Sequence, residues 1–280
     1  MEKAIKRYFP IFVLPTMIAF TLGFIIPCVE GVYLSFCKFT TVNDAKFIGF
    51  ANYAKVFADE TFVHAFWYTA AFTVVSVILI NVLAFAVALL LTKGFKGTNI
   101  FRTVFFMPNL IGGIVLGYIW QLLLNGILMK FSRTLTYSST YGFWGLIILM
   151  CWQQIGYMMI IYIAGIQNIP GELIEAAEID GATKWQILKK VTIPMVMPSI
   201  TVCTFLTLTN SFKLFDQNLA LTNGEPSKMS EMLALNIFNT FYGRTGYEGV
   251  GQAKAVIFFI LVTVIALTQN YLTRRKEVQQ

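Results

Sequence analysis

Six apolar runs, each near the roughly 20 residues that a bilayer crossing needs, decide what this chain can fold into. They cover about Phe9 to Phe36, His64 to Thr92, Val104 to Leu124, Tyr141 to Ile166, Pro194 to Phe215 and Ala253 to Tyr271. In hydrocarbon every backbone polar group needs a partner inside the protein, so runs of this length form helices. The sequence predicts an all-α, polytopic membrane protein with six transmembrane helices, built as one domain over residues 1–280. Composition agrees: 57% of the residues are hydrophobic and 12% charged, where soluble domains carry roughly 25% charged residues. Such a chain cannot hide its apolar surface in one soluble core, so the lipid bilayer is its solvent. The first run is broken by Pro15 and Pro27 and follows Lys3, Lys6 and Arg7. It is too long for the apolar region of a signal peptide and lacks a clear small-residue cleavage site, so it reads as an uncleaved anchor.

A net charge of +7 would suggest nucleic acid in a soluble protein. Here it reads as an excess of bases in inner loops, with no nucleic-acid partner. With both termini inside, inner segments hold 12 of the 21 bases and 6 of the 14 acids. The inner bases cluster at span ends: Lys93, Lys96 and Arg102 between spans two and three, and Arg274, Arg275 and Lys276 after span six. This orientation puts residues 169–193 in the cytoplasm.

That inner loop is the only polar, helix-competent island that combines several acids and bases between apolar segments. Pro170 and Gly171 break what precedes it. Glu172, Glu175 and Glu178 recur every three residues beside Leu173, Ala176 and Ala177, the pattern of a short amphipathic helix with an acidic edge. Gly181 ends it. Thr183 and Gln186 have capping-box spacing, so a second short helix starts there, with Lys184, Lys189 and Lys190 on a basic edge. Small side chains let another protein's groove approach the backbone closely. A solvated turn lying on lipid headgroups is the other reading of the same residues.

Polar groups inside the spans stand out, because an unpaired one costs several kcal/mol in hydrocarbon. Asn109 follows Met107-Pro108, where the proline loosens the helix. Gln153 and Gln154 follow Trp152 in span four, Gln121 follows Trp120, and Asn210, Ser211 and Lys213 end span five beside Phe212 and Phe215. Amides exchange hydrogen bonds with hydroxyls and aromatic faces cover apolar ring surfaces, so this set suits a neutral sugar. The same groups also hold helices together.

Catalytic patterns are absent from the sequence. It has no G-x-x-x-x-G-K-[ST] string for ATP, and the glycines of Gly246 to Lys254 are wrongly spaced for one. No paired intramembrane carboxylates and no nucleophile–base–acid set appear, so an enzyme is not expected. Cys28, Cys37, Cys151 and Cys203 are scattered and read as free thiols; His64 has no metal-ligating neighbours, and no metal site is expected.

The string Glu175-Ala176-Ala177, then Asp180-Gly181-Ala182, then Pro194 resembles the EAA loop of binding-protein-dependent ABC importers. FIGFANYAKVF at Phe47, MPNLIGGIVLGYIWQ at Met107 and SFKLFDQ at Ser211 resemble the sugar permeases of that family, and the likeness covers nearly the whole chain. Departures are mild. Val191 and Ile193 replace the usual Ile and Leu, Leu188 sits where Phe is common, and Gln153 and Gln154 stand where a glycine is frequent. The resemblance implies a type I importer fold in a bacterial cytoplasmic membrane. It also implies that the 175–182 helix docks on an ATPase dimer, which holds the ATP and Mg, since this chain carries no cofactor. A second homologous permease and an extracytoplasmic sugar-binding protein complete the assembly it implies. It further implies a di- or oligosaccharide pathway lined by Asn109, Gly113, Gln153, Gln154, Asn210, Ser211 and Leu214. Two other functions compete: the same family carrying a phosphorylated polyol such as glycerol phosphate, and a stand-alone secondary carrier or channel.

Overall fold

The structure is a computed structural model that describes residues 2–94 and 96–274. Of the inner basic cluster, Arg275 and Lys276, like Glu277, lie outside the described residues. The described chain is nearly all helix. Helices α1 (Glu2–Phe20) and α2 (Ile26–Leu34) are joined by a π segment and lead into strands β1 (Cys37–Lys38) and β2 (Lys46–Phe47). Then come α3 (Ala51–Phe57), α4 (Glu60–Leu91), α5 (Thr98–Phe106), α6 (Gly113–Leu128) and α7 (Ser139–Gln167). The short helices α8 (Gly171–Ile179), α9 (Lys184–Ile187) and α10 (Ile193–Met195) precede α11 (Met197–Phe212). Helices α12 (Asp216–Leu221), α13 (Leu233–Gly243) and α14 (Glu248–Arg274) complete the chain. Among the described residues five helices are long and apolar enough to cross a membrane, over Ile11–Leu34, Glu60–Leu91, Gly113–Phe131, Ser139–Gln167 and Glu248–Thr273. The pair Lys184–Met195 and Met197–Phe212, bent by 69°, makes a sixth if taken as one span.

Several boundaries differ from the sequence reading. The third run, expected over Val104 to Leu124, is divided. Its first residues belong to α5, a single 3-10 turn covers Met107–Leu110, and the span proper begins at Gly113. Pro108 is the cause: it has no N–H to donate, and Ile111 and Gly112 behind it are extended. Pro27 acts more gently. The π segment Thr21–Ile25 lies just before it and keeps the first span helical through to Leu34. The polar stretch between the first two spans holds the small antiparallel β1–β2 pair and α3. Asn52 explains why. It is buried, and its amide donates to the carbonyls of Ser35 at 2.9 Å and Cys37 at 2.8 Å, so a polar residue ties α3 down. Between the fifth and sixth runs the chain forms two further helices, α12 over Asp216–Leu221 and α13 over Leu233–Gly243.

The chain divides into two compact units, 1–60 with 237–260 and 61–236 with 261–280. In the larger unit α7 is the most buried span. It meets α5 without an intervening side chain: a Cβ at Gly156 would overlap the Phe105 carbonyl. Small residues allow such approach where lipid offers no hydrophobic drive for helix association. Tyr162 of α7 donates its hydroxyl to Asn81 of α4 at 2.7 Å, and the Asn81 amide reaches Thr207 of α11 at 3.3 Å, so one polar chain links three helices.

In the smaller unit the Asp44 carboxylate accepts the backbone N–H groups of Thr41 and Thr40, at 2.9 and 3.0 Å, which holds its pKa below the usual value. Lys254 is fully buried there. Its ammonium donates to Asp59 at 2.8 Å and to the Thr240 hydroxyl at 2.8 Å, joining α14, the start of α4 and α13. Breaking a buried ion pair by removing one member costs about 3–5 kcal/mol. Asp59→Asn should therefore lower the thermal stability of the detergent-solubilised protein strongly. Adding Lys254→Met to it should restore most of the loss, because both charges are then gone; equal or additive losses would show that the pair is not coupled.

Candidate functional site

Two places in the larger unit carry the residues singled out in the sequence. The first is the α8–α9 knuckle. Helix α8 ends because Gly181 adopts φ +77°, a left-handed conformation that costs other residues dearly. The Ala182 N–H then reaches the Ala177 carbonyl, and the Gly181 N–H the Glu178 carbonyl, both at 3.0 Å, which closes the helix end. The capping box at the start of α9 is formed. Gln186 accepts from the Thr183 N–H at 2.7 Å, and the Thr183 hydroxyl oxygen accepts from the Gln186 N–H at 3.4 Å. Ile169 and Ile187 are buried and Ile174 packs on the core, so the knuckle is anchored from beneath.

What it shows outward is mixed. Glu172, Glu175, Ala176, Glu178, Asp180 and Gly181 are exposed, while Ala177 and Ala182 are half-buried. Between the two short helices lies a concavity of about 300 Å³, lined by Ala177, Asp180, Gly181, Ala182, Ile187 and Lys190 among others. Glu175 and Ala176 lie outside its lining. Ile179, at 86% exposure, and Trp185, at 68%, stand free beside it. Large apolar side chains are thus set among charges on an anchored loop, the character of a surface that contacts another protein or a membrane.

The second place is a cavity of about 260 Å³ where α7, α11 and the start of α12 meet. Gln154, Asn210 and Leu214 line it together with Lys213, Asp216 and Gln217. The Asn210 amide donates to the Gln154 carbonyl oxygen at 3.4 Å, which leaves the other half of each amide for a ligand. Gln153 is buried behind the lining. It accepts from Gln217 at 2.8 Å and donates to the Ile111 carbonyl at 3.4 Å, so it positions Gln217. Ser211 is wholly buried outside the lining, and its hydroxyl has no partner among the described residues.

Asn109 and Gly113 do not line this cavity. Asn109 sits half-buried in the 3-10 turn. Gly113 has a packing part: a Cβ there would come 2.7 Å from the Asp216 Cβ and 3.0 Å from the Gln217 Cδ. Its bare backbone admits the start of α12 and thereby delivers Asp216 and Gln217 to the cavity. Those two residues escaped the sequence reading as lining groups, although both lie in or beside the SFKLFDQ string. Lys213 and Asp216 place one cation and one anion on the wall, with three amides between helices.

Residues 80–278 match the family described as binding-protein-dependent transport system inner membrane component. A relative in Thermoanaerobacterium thermosulfurigenes, named as the probable starch degradation products transport system permease protein AmyD, is 42% identical over 278 residues, covering 96% of this chain and 94% of its own. The multiple sugar-binding transport system permease protein MsmF of Streptococcus mutans is 28% identical and covers 99% of both chains. Among solved structures, a chain of a bacterial ABC transporter involved in import of the acidic polysaccharide alginate superposes with a TM-score of 0.82 at 22% identity, over 98% of each chain. The fold is thus that of an ABC importer permease, and the chain belongs to the inner membrane components of binding-protein-dependent transport systems.

Proposed function

We propose that this permease carries a di- or oligosaccharide and forms half of its pathway, with a second homologous permease forming the other half. The observation that carries the cargo reading is the wall of the α7–α11–α12 cavity, where Gln154, Asn210 and Gln217 offer amide donors and acceptors in one space. Hydroxyl-rich, uncharged ligands exchange bonds with such groups in either direction. The likeness to the AmyD and MsmF permeases supports a sugar. A phosphorylated polyol would need net positive charge on the wall, and Asp216 opposes Lys213 there. Family membership argues against a stand-alone carrier.

The knuckle is the proposed seat of an ATPase dimer that binds ATP and Mg. Its acids pair with bases on that partner, and Ala176 and Ala177 let the partner approach closely. An extracytoplasmic sugar-binding protein delivers cargo at the opposite side. Both termini lie in the cytoplasm in this reading, supported by Lys93, Lys96 and Arg102 between spans two and three and by Lys184, Lys189 and Lys190 between spans four and five. ATP-driven closure of the dimer moves α8 and α9, and with them α7 and α11.

A membrane-impermeant thiol reagent should reach Ala176→Cys, in a background without the native cysteines, only from the cytoplasmic side; labelling from outside would sink the docking role. Glu175→Lys and Gly181→Pro should each leave the protein inserted but cut sugar uptake in proteoliposomes by about tenfold or more, as loss of a mechanical link rather than of binding. Uptake at the native rate in both would count against it. Gln154→Ala and Asn210→Ala should each lower uptake about fivefold, from loss of about 1 kcal/mol of hydrogen bonding. Cargo-independent ATP hydrolysis by the assembly should stay unchanged in both, and unchanged uptake would move the sugar path elsewhere.

A further inference from the structure

A second cavity, of about 450 Å³, lies where the end of α4, the start of α5 and the end of α7 come together. Nothing in the transport reading uses it. Its polar lining comes from Thr92, Thr98, Asn99, Arg102 and Gln167, with no carboxylate among the described lining residues. The Arg102 guanidinium is permanently charged. Its Nε is shielded from solvent and has no hydrogen-bond partner among the described residues. An N–H of that kind left without an acceptor is costly, so the cavity is built for an acceptor that the described residues do not provide. Lys93 and Lys96 are exposed on the turn that enters α5 and add positive charge around it.

The surroundings say what kind of acceptor. Ile100, Phe101, Val104 and Phe105 of α5 are exposed, so this short helix turns apolar side chains outward beside a polar recess. A helix with that division lies in the plane of a membrane surface, its apolar side among acyl chains. Basic recesses between spanning helices at that depth take phospholipid headgroups, and a guanidinium forks onto phosphate oxygens. The volume falls in the range of small-ligand pockets, about 300–1,000 Å³.

We infer that the Arg102 cavity is a binding site for a phosphate group, supplied by an anionic phospholipid headgroup of the surrounding leaflet. The site is independent of the cargo; it shares with the transport reading only the placement of Lys93, Lys96 and Arg102 at a membrane surface. Gln167 is the last residue of α7, three positions before Pro170, so the occupant touches the base on which the knuckle stands.

Native mass spectrometry of the full chain in detergent, without sugar or partners, tests this. Phosphatidylglycerol and a phosphate-free glycosyl diglyceride with the same acyl chains are titrated in parallel. The wild type should hold one phosphatidylglycerol more tightly than the glycolipid. Arg102→Gln should weaken that lipid about tenfold, the scale of a charge-assisted contact, Arg102→Lys should restore part of it, and Lys93→Gln with Lys96→Gln should cost less. If inorganic phosphate alone gives an Arg102-dependent rise in melting temperature while neither lipid is retained, the phosphate chemistry stands and its source is soluble. Equal retention of the two lipids by the wild type, with no effect of inorganic phosphate, overturns the inference, as does unchanged phosphatidylglycerol binding by Arg102→Gln. Should Arg102→Gln fail to fold, the wild-type comparison of the two lipids decides.

Discussion

Backbone hydrogen bonding without water is the constraint on which this structure rests. Hydrocarbon satisfies no N–H or C=O, so an uninterrupted helix is the default and every interruption must be accommodated locally. Pro15 leaves α1 unbroken, against the sequence reading, but other prolines mark interruptions that are handled differently. Pro27 is absorbed by a π segment, and the helical path continues. Pro108 ends a helix, and a 3-10 turn with two extended residues follows before α6 begins. Pro194 and Pro198 flank Val196, where the axis turns by 69°. The two sharper breaks both border the proposed machinery. Ile111 beyond Pro108 accepts from Gln153, and the bend at Val196 joins the knuckle to α11.

Polar satisfaction also explains the division of labour around the amide cavity. Gln153 and Gln154 are neighbours on α7, yet one is tied into the protein and the other faces the space. Adjacent helical residues point about a hundred degrees apart, so the pair cannot share one role. The fixed glutamine orients Gln217, and the other is left with bonding capacity. A ligand in the cavity can compete only for groups that the fold has not already used.

Much of this was legible in the sequence because it depends on local chemistry. Apolar length marked the spans, Gly181 marked the end of α8, and the Thr183–Gln186 spacing marked the start of α9. What stayed hidden depends on which backbones meet. Gly113 sits among apolar residues with nothing to distinguish a lining glycine from one that another helix leans on, and only the approach of α12 decides between them. Nothing beside Asn52 in the sequence marks its role, since its two acceptors, Ser35 and Cys37, are 17 and 15 positions away. Arg102 looked like one more inner base, because a recess formed by the ends of three helices has no signature along the chain.

The angle at Val196 has a mechanical meaning. A straight rod pushed at one end can only slide along its own axis, which in a bilayer would drag its flanking polar groups into oil. An elbow of 69° turns the same push largely into sideways sweep of the far limb, with each limb staying at its own depth. The far limb is α11, whose end carries Asn210. A shove on the near limb, Lys184–Met195, would then widen or narrow the amide cavity without lifting a charge across the membrane.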